Sequence, residues 1–260
     1  MYIDTHAHLN DSAYLDDLEE VIASSMANEV KGFIVVGFNK ETNKRAIELA
    51  HKYPFIYATV GIHPSDVNEY NEENKNLILK QLEDPKVVGI GECGLDYYWH
   101  QDNKELQKEV FRWQIETSKK LDIPIIIHMR DASLDTLNIL KEYDNVKGIM
   151  HGYSGSAEML EDFYKIGLHI AIGGVVTFKN AKVIKEVARV ARMDRLVLET
   201  DCPYLTPHPY RGKRNSPEYI PLIAKEIALL KDISISDIRD ITYKNVLKLF
   251  DLEGKLWKNY

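Results

Sequence analysis

The chain has 260 residues, of which 45% are hydrophobic and 28% charged, a balance that supports a large buried core and excludes a disordered chain. A formal net charge of −7 argues against a protein that coats nucleic acid through overall basicity, so any polyanionic substrate must be met by local charge or bound cations.

Tyr2, Ile3 and Thr5 favour extended backbone, which sets His6 and His8 on one face of an opening strand, about 7 Å apart along it. Two imidazoles so placed can close on one metal ion. Leu15, Leu18, Ile22 and Met26 recur every three or four residues and predict a helix with one buried stripe. The run 32–37, GFIVVG, is apolar and bounded by glycines, as expected of a strand buried on both faces. A polar helix follows over about 41–51, then a strand over 55–61 leading into Ile62, His63 and Pro64, and a helix near 74–82. Next come a strand at 87–91 and a strong helix over about 103–121. Its Leu106, Val110, Trp113, Thr117 and Leu121 share a face, and Asp102 and Glu105 mark its start. Strands at 125–128, 146–151, 168–173 and 196–201 alternate with helical patterns near 134–143, 157–166 and 181–191. Ile220, Ile223, Ile227 and Leu230 supply the eighth helix, and a further one over about 236–250 closes the chain.

Eight such alternations, with no Pro-rich or low-complexity linker, predict an α/β fold: a single (β/α)8 TIM barrel over 1–260 with an extra C-terminal helix. An open doubly wound sheet is the alternative, because periodicity does not report closure. The two cysteines, Cys93 and Cys202, imply no disulfide framework and read as packing residues in a reducing compartment. No basic and apolar leader precedes the first strand, and apolar runs such as 125–127 fall far short of a membrane span. A cytoplasmic protein without a membrane partner is therefore expected.

The ends of the predicted strands carry His6, His8, His63, Glu92, His128, His151 and Asp201, and in a barrel these carboxyl ends meet at one mouth. His51, His100, His169 and His208 do not fall at such ends and read as structural. Imidazoles and carboxylates without committed thiolates suit Mg2+, Mn2+ or Zn2+. The set is too large for one tetrahedral ion and points to two divalent ions bridged by a carboxylate, Glu92.

The segments DTHAHL (4–9), GIHP (61–64), IGECGLDYY (90–98), IPIIIHMRDA (123–132), HGYSGS (151–156), LETDCPYLTP (198–207) and RGKRNSP (211–217) resemble, in order, the signatures of the TatD family of metal-dependent deoxyribonucleases in the amidohydrolase superfamily. The resemblance implies that His6, His8, Glu92 and Asp201 hold one metal ion and that Glu92, His128 and His151 hold the other. It also implies that Glu199 supports the site without being a ligand. The chain departs from the pattern at Gly152 and Tyr153, where Cys-Phe is frequent, at Ser65, where His is frequent, and at Ser216, where an acidic residue is frequent.

A phosphodiester is anionic and poorly electrophilic, so its hydrolysis needs neutralised charge and an activated water, and two cations can supply both. Asp201 is the expected proton acceptor and Glu92 the bridge. His63, Arg130, Tyr153, Arg211, Lys213 and Arg214 are the expected substrate contacts. Tyr97, Tyr98, Trp99, Tyr153 and Tyr204 could stack unpaired bases, which favours DNA strand ends or single strands as partner and 3′-5′ exonucleolytic cleavage. Asn215 could start the helix that follows. The alternatives are a hydrolase of small esters, amides or lactones, whose relatives often bridge two metals with a carboxylated lysine, and a metal-holding binding module without catalysis.

Overall fold

In the computed structural model, residues 1–254 are described; the last six residues of the expected 1–260 barrel lie outside the described residues. The opening strand β1 (Tyr2–Ala7) is the first of eight parallel strands that pair strictly in sequence order. The others are β2 (Val30–Val36), β3 (Ile56–Val60), β4 (Val87–Asp96), β5 (Ile125–Arg130), β6 (Gly148–Met150), β7 (Leu168–Ile172) and β8 (Leu196–Leu198). The helices between them are α1 (Leu18–Ala27), α2 (Lys40–Lys52), α3 (Glu72–Gln81), α4 (Lys104–Leu121), α5 (Ser133–Leu140), α6 (Leu160–Ile166) and α7 (Lys182–Val190). Then come α8 (Ile220–Lys231) and the extra helix α9 (Ile235–Leu249). Side chains of Asn39, Asn71 and Ser234 cap α2, α3 and α9 by accepting from the third helical N–H of each.

The first and last strands close the ring. Ala7 bridges Cys202, His8 N donates to Cys202 O at 2.9 Å, Asp201 N to His6 O at 2.9 Å, and Thr5 Oγ1 to Leu198 O at 2.9 Å. The buried carboxylate of Asp4 reinforces this seam, accepting from Thr200 N at 3.0 Å, Thr200 Oγ1 at 2.5 Å and His6 N at 3.2 Å. The fold is thus the expected (β/α)8 barrel, nearly closed.

Two cores follow from the alternation of strand side chains. One set, including Phe33, Val35, Ile56, Ile125, Ile127, Ile170 and Leu196, packs with Ile78, Phe111, Phe163, Ile223 and other helical residues. The other set, Ile3, Ile34, Val36, Tyr57, Ile126, Ile149, Ala171 and Val197, packs with Val246, Phe250 and Leu252, so α9 and the residues after it seal the amino-terminal end of the lumen. Pairs such as Ile126↔Ile149 and Ala171↔Val197 lie in register, which keeps the lumen face continuous around the barrel.

β4 departs from regular pairing in a way that matters above. Ile90 pairs with Ile125 but Cys93 with Ile127, so Gly91 and Glu92 together span one partner step. Gly91 and Gly94 hold φ of 127° and 132°, and a Cβ on them would lie 2.5 Å from Ile126 O and 2.0 Å from His128 O. Only glycine fits β4 against β5 at these two points.

Local expectations shift in three places. Leu15, expected in the buried stripe of the first helix, is 62% exposed: a short 310 turn over Ser12–Tyr14 precedes α1 and buries Tyr14 instead. Leu121, at the last position of α4, is likewise exposed. The last strand stops at Leu198 because the chain then turns out to bond Asp4, and Asp201 adopts φ of 56°.

His169 lies in register with Ile149 and is 8% exposed, and burial followed by the nearby Arg195 charge pulls its imidazole down to about 4. The folded state therefore favours the neutral ring, whereas the unfolded chain protonates near 6.5. Stability from this group is complete above pH 6.5 and is lost as pH falls toward 4, up to about 3 kcal/mol. Urea titrations across that range should show the decline, and His169→Leu should flatten it.

Candidate metal centre

The lumen face that is apolar at its amino-terminal end becomes polar toward the carboxyl ends of the strands. Two residues beyond Ile126 on β5 stands His128, two beyond Ile149 stands His151, and two and four beyond Val197 stand Glu199 and Asp201. Irregular pairing of β1 turns His6 and His8 into the same space, and the β4 bulge does so for Glu92. His63 opens a 310 segment after β3. That loop is pinned by two buried amides: Asn43 exchanges bonds with Gly61 N and O, and Gln114 with Ile62 N and O.

Glu92 is the centre. Its Oε1 lies 3.0 Å from His128 Nδ1, 3.5 Å from His63 Nε2 and 3.8 Å from His151 Nε2, while Oε2 lies 3.3 Å from His6 Nε2 and 3.7 Å from His8 Nε2. Asp201 Oδ1 stands 3.4 Å from His8 Nε2 and 3.9 Å from both His6 Nε2 and His151 Nε2. The structure thus brings together all six expected ligands and His63.

The outward nitrogen of three rings is engaged by an oxygen acceptor. His8 Nδ1 donates to Val36 O at 3.1 Å, His128 Nε2 to Asp96 Oδ2 at 3.1 Å, and His151 Nδ1 to Glu199 Oε2 at 2.9 Å. Each therefore presents the lone pair of its other nitrogen to the centre, the arrangement a metal ligand requires. His63 is the reverse: its Nδ1 accepts from Ser65 N at 3.1 Å, so Nε2 carries the proton and faces Glu92 as a donor.

The electrostatics call for positive charge. Burial alone would raise the carboxyls, yet the surrounding imidazoles hold Glu92 well below the usual carboxylate range and lower Asp201 as well. Against burial, which disfavours its charged form, Glu199 leads the carboxylates that push His151 up to about 10. Burial pushes His63 down to about 3, keeping it neutral. Divalent cations answer this field better than protons do, because the His6 and His8 Nε2 atoms are only 3.1 Å apart and the His6 and His151 rings stack at 3.4 Å between centroids. Three donor groups have atoms within 4.8 Å of one another: His6, His8 and Glu92; His63, Glu92 and His128; His6, His151 and Glu199. The donors are N and O only. Burial raises the thiols of Cys93 and Cys202, the latter to about 12, so neither offers a thiolate.

Several supporting residues escape a sequence reading. Asp96 accepts from Tyr98 N and Trp99 N, each at 2.9 Å, as well as from His128, and is itself held by Gln107 through its backbone. Glu199, which the resemblance did mark as a supporting residue, also accepts from Gly152 N at 2.6 Å. His100, read as structural, has Nε2 3.0 Å from Ser65 Oγ, which is 3.0 Å from His63 Nδ1. Asn215 does not start a helix: buried, it donates to Thr200 O and Tyr204 O and fastens the loop that carries Asp201. An acidic residue two positions before a histidine was the available signal for Asp4. Gln107 and Gln114 gave none.

The expected substrate contacts are dispersed. Arg130 lies over Tyr98 and Trp99, 4.2 and 5.4 Å from their ring centroids. Tyr153 is buried, its hydroxyl donating to Ser156 O. Arg211 covers Phe178 at 3.9 Å, and Lys213 is exposed near Tyr210. Arg214 pairs with Asp17 through both nitrogens and covers Tyr14, so its charge is already engaged.

A parallel barrel whose mouth gathers imidazoles and carboxylates around one buried glutamate is the scaffold and donor set of a metal-dependent hydrolase. Residues 3–251 match the family model of TatD-related DNases, and the chain belongs to the TatD family. It is 49% identical over 252 residues to the uncharacterized metal-dependent hydrolase YabD of Bacillus subtilis (strain 168), covering 96% of this chain and 99% of that protein. It is 32% identical over 256 residues to the 3′-5′ ssDNA/RNA exonuclease TatD of Salmonella typhimurium (strain LT2), with 96% and 98% covered. Among solved structures, the TatD homologue YjjV of Escherichia coli K12 superposes with a TM-score of 0.88 at 28% identity, covering 96% of this chain and 98% of that one.

Glu199 is buried and accepts from both His151 Nδ1 and Gly152 N. Glu199→Gln should leave the fold intact and weaken divalent-metal binding about tenfold to a hundredfold, read by calorimetric titration of the metal-stripped protein.

Proposed function

We propose that this protein is a divalent-metal-dependent deoxyribonuclease that hydrolyses phosphodiester bonds at DNA strand ends, with 3′-5′ action on single strands, in the cytoplasm. The carrying observation is the split of Glu92: one oxygen faces His6 and His8, the other His128 and His151, which suits a carboxylate bridging two ions. His6, His8, Glu92 and Asp201 would hold one ion, and Glu92, His128 and His151 the other. Mg2+, Mn2+ and Zn2+ all fit this N and O donor set.

When bound, such ions neutralise phosphate charge and lower the pKa of water. Asp201, the most open of the central carboxylates at 17% side-chain exposure, takes the proton of the attacking water at its Oδ1. His63 donates its Nε2 proton to a phosphate oxygen, a role its neutral, fixed tautomer allows without competing for cations. Arg130, beside the mouth, would add a charge-assisted contact to the strand, and Arg211 and Lys213 would supply such contacts to a longer one. Glu199 and Asp96 keep His151 and His128 from rotating.

The relatives support the chemistry in different degrees: YabD by name as a metal-dependent hydrolase, the Salmonella protein as an exonuclease on single-stranded DNA and RNA. Metal-stripped protein should not cut 5′-labelled single-stranded DNA. With Mg2+, Mn2+ or Zn2+ restored, a ladder shortening from the 3′ end should appear, and Asp201→Asn should reduce the rate by about a thousandfold or more. Absence of cleavage by protein that binds the ions would remove the nuclease reading and favour small esters, amides or lactones.

A further inference from the structure

Around the mouth, six strands send a histidine, a carboxylate or a loop bearing one toward the centre; after β2 the place is taken by Phe38, whose ring lies 5.4 Å from that of His8, but the lumen position after β7 is Gly173. It lies two residues past Ala171 and has no side chain to place there. A recess of about 470 Å3 opens at this point, shared with His128, His151 and Asp201. A Cβ at Gly173 would sit 3.5 Å from Glu199 Cγ, ordinary contact, so the space follows from residue choice and not from backbone geometry.

The walls away from the centre are apolar, built by Met129, Val175, Val183 and Leu205. Arg130, Lys182 and Asn180 complete them, adding two cations and one amide. An apolar slot with one amide suits a planar heterocycle, and cations beside it suit the phosphates on either side of a nucleoside. Arg130 connects this recess to a second feature, the ledge of Tyr98 and Trp99, which are 50% and 64% exposed and held in place by Asp96.

We propose that the recess beside Gly173 is the subsite for the terminal nucleoside of the strand, its 5′-phosphate lying at Glu92 while the preceding base stacks on the Trp99 ledge. This rests on the nuclease reading and adds to it a basis for cleavage at ends: Gly173 to Val175 and Asn180 to Val183 line one side of the recess, so a terminal nucleoside would seat against them while a continuous strand would have to turn past them. Recognition is tolerant of base identity, since the face against the base is apolar but for one amide and the two cations are left for phosphates.

The test compares two substrates of the metal-loaded protein, thymidine 5′-(4-nitrophenyl phosphate) and methyl 4-nitrophenyl phosphate, which share a leaving group and differ in the nucleoside. The nucleoside ester should be preferred about tenfold or more in kcat/KM, mostly through KM. Val183→Trp, at a position 55% exposed, narrows the recess without burdening the core, and Gly173→Ala fills its floor. Each should cut the preference about tenfold, and each should weaken thymidine 5′-monophosphate binding in calorimetry. Hydrolysis of both esters with no preference, or a preference that neither variant changes, would overturn the subsite and leave the nuclease reading standing. Hydrolysis of neither would overturn the nuclease reading and the subsite with it.

Discussion

One buried carboxylate sets the terms for the rest of the mouth. Glu92 is 5% exposed and ionised, and a charge so placed is tolerable only where cations or hydrogen-bond donors surround it. Each oxygen faces its own set of imidazoles, and three of those rings, His8, His128 and His151, are held against rotation. Val36 O, Asp96 and Glu199 do this from three different strands or their ends. The barrel is the scaffold that delivers these groups to one point, because alternate residues of consecutive parallel strands share the lumen.

Reaching that point required local departures from regular structure. A regular β4 would alternate Glu92 out of the lumen-facing series, and the extra residue at Gly91 corrects this. The correction needs backbone so close to β5 that Gly91 and Gly94 admit no Cβ. The loop that presents His63 likewise depends on Asn43 and Gln114, two amides buried in helices where a backbone turn would otherwise be left unsatisfied. The side chains of the centre thus sit on elements whose stability is supplied from the layer behind them.

Much of this was legible from the residues alone. The eight strand and helix alternations and the donors at strand ends are set by periodicity and by residue type, and both survive into the structure with boundaries moved by a few residues. What stayed hidden was of one kind. Gln107, Gln114 and Asn43 look like surface residues of amphipathic helices, since an amide that pins a distant loop leaves no periodic trace. Asp96 reads as a turn carboxylate until the ring it holds is seen, whereas Glu199 was legible only through the resemblance of its segment. Leu15 misled because a 310 turn bounded by Asp11 interrupts the helical stripe, and Asn215 because an amide that caps a helix and one that fastens a loop are the same residue in sequence.

The seam between β1 and β8 carries a further consequence. Asp4 and Thr200 are separated by 196 positions, and the groups they align, His6 and His8 on one side and Asp201 on the other, come from opposite ends of the chain. During synthesis the first strand emerges from the ribosome long before its partner, so a nascent or truncated chain carries the histidines but has no complete centre. A chain that ends before the last strand lacks Asp201, so the full set of donors comes together only once the ring is joined.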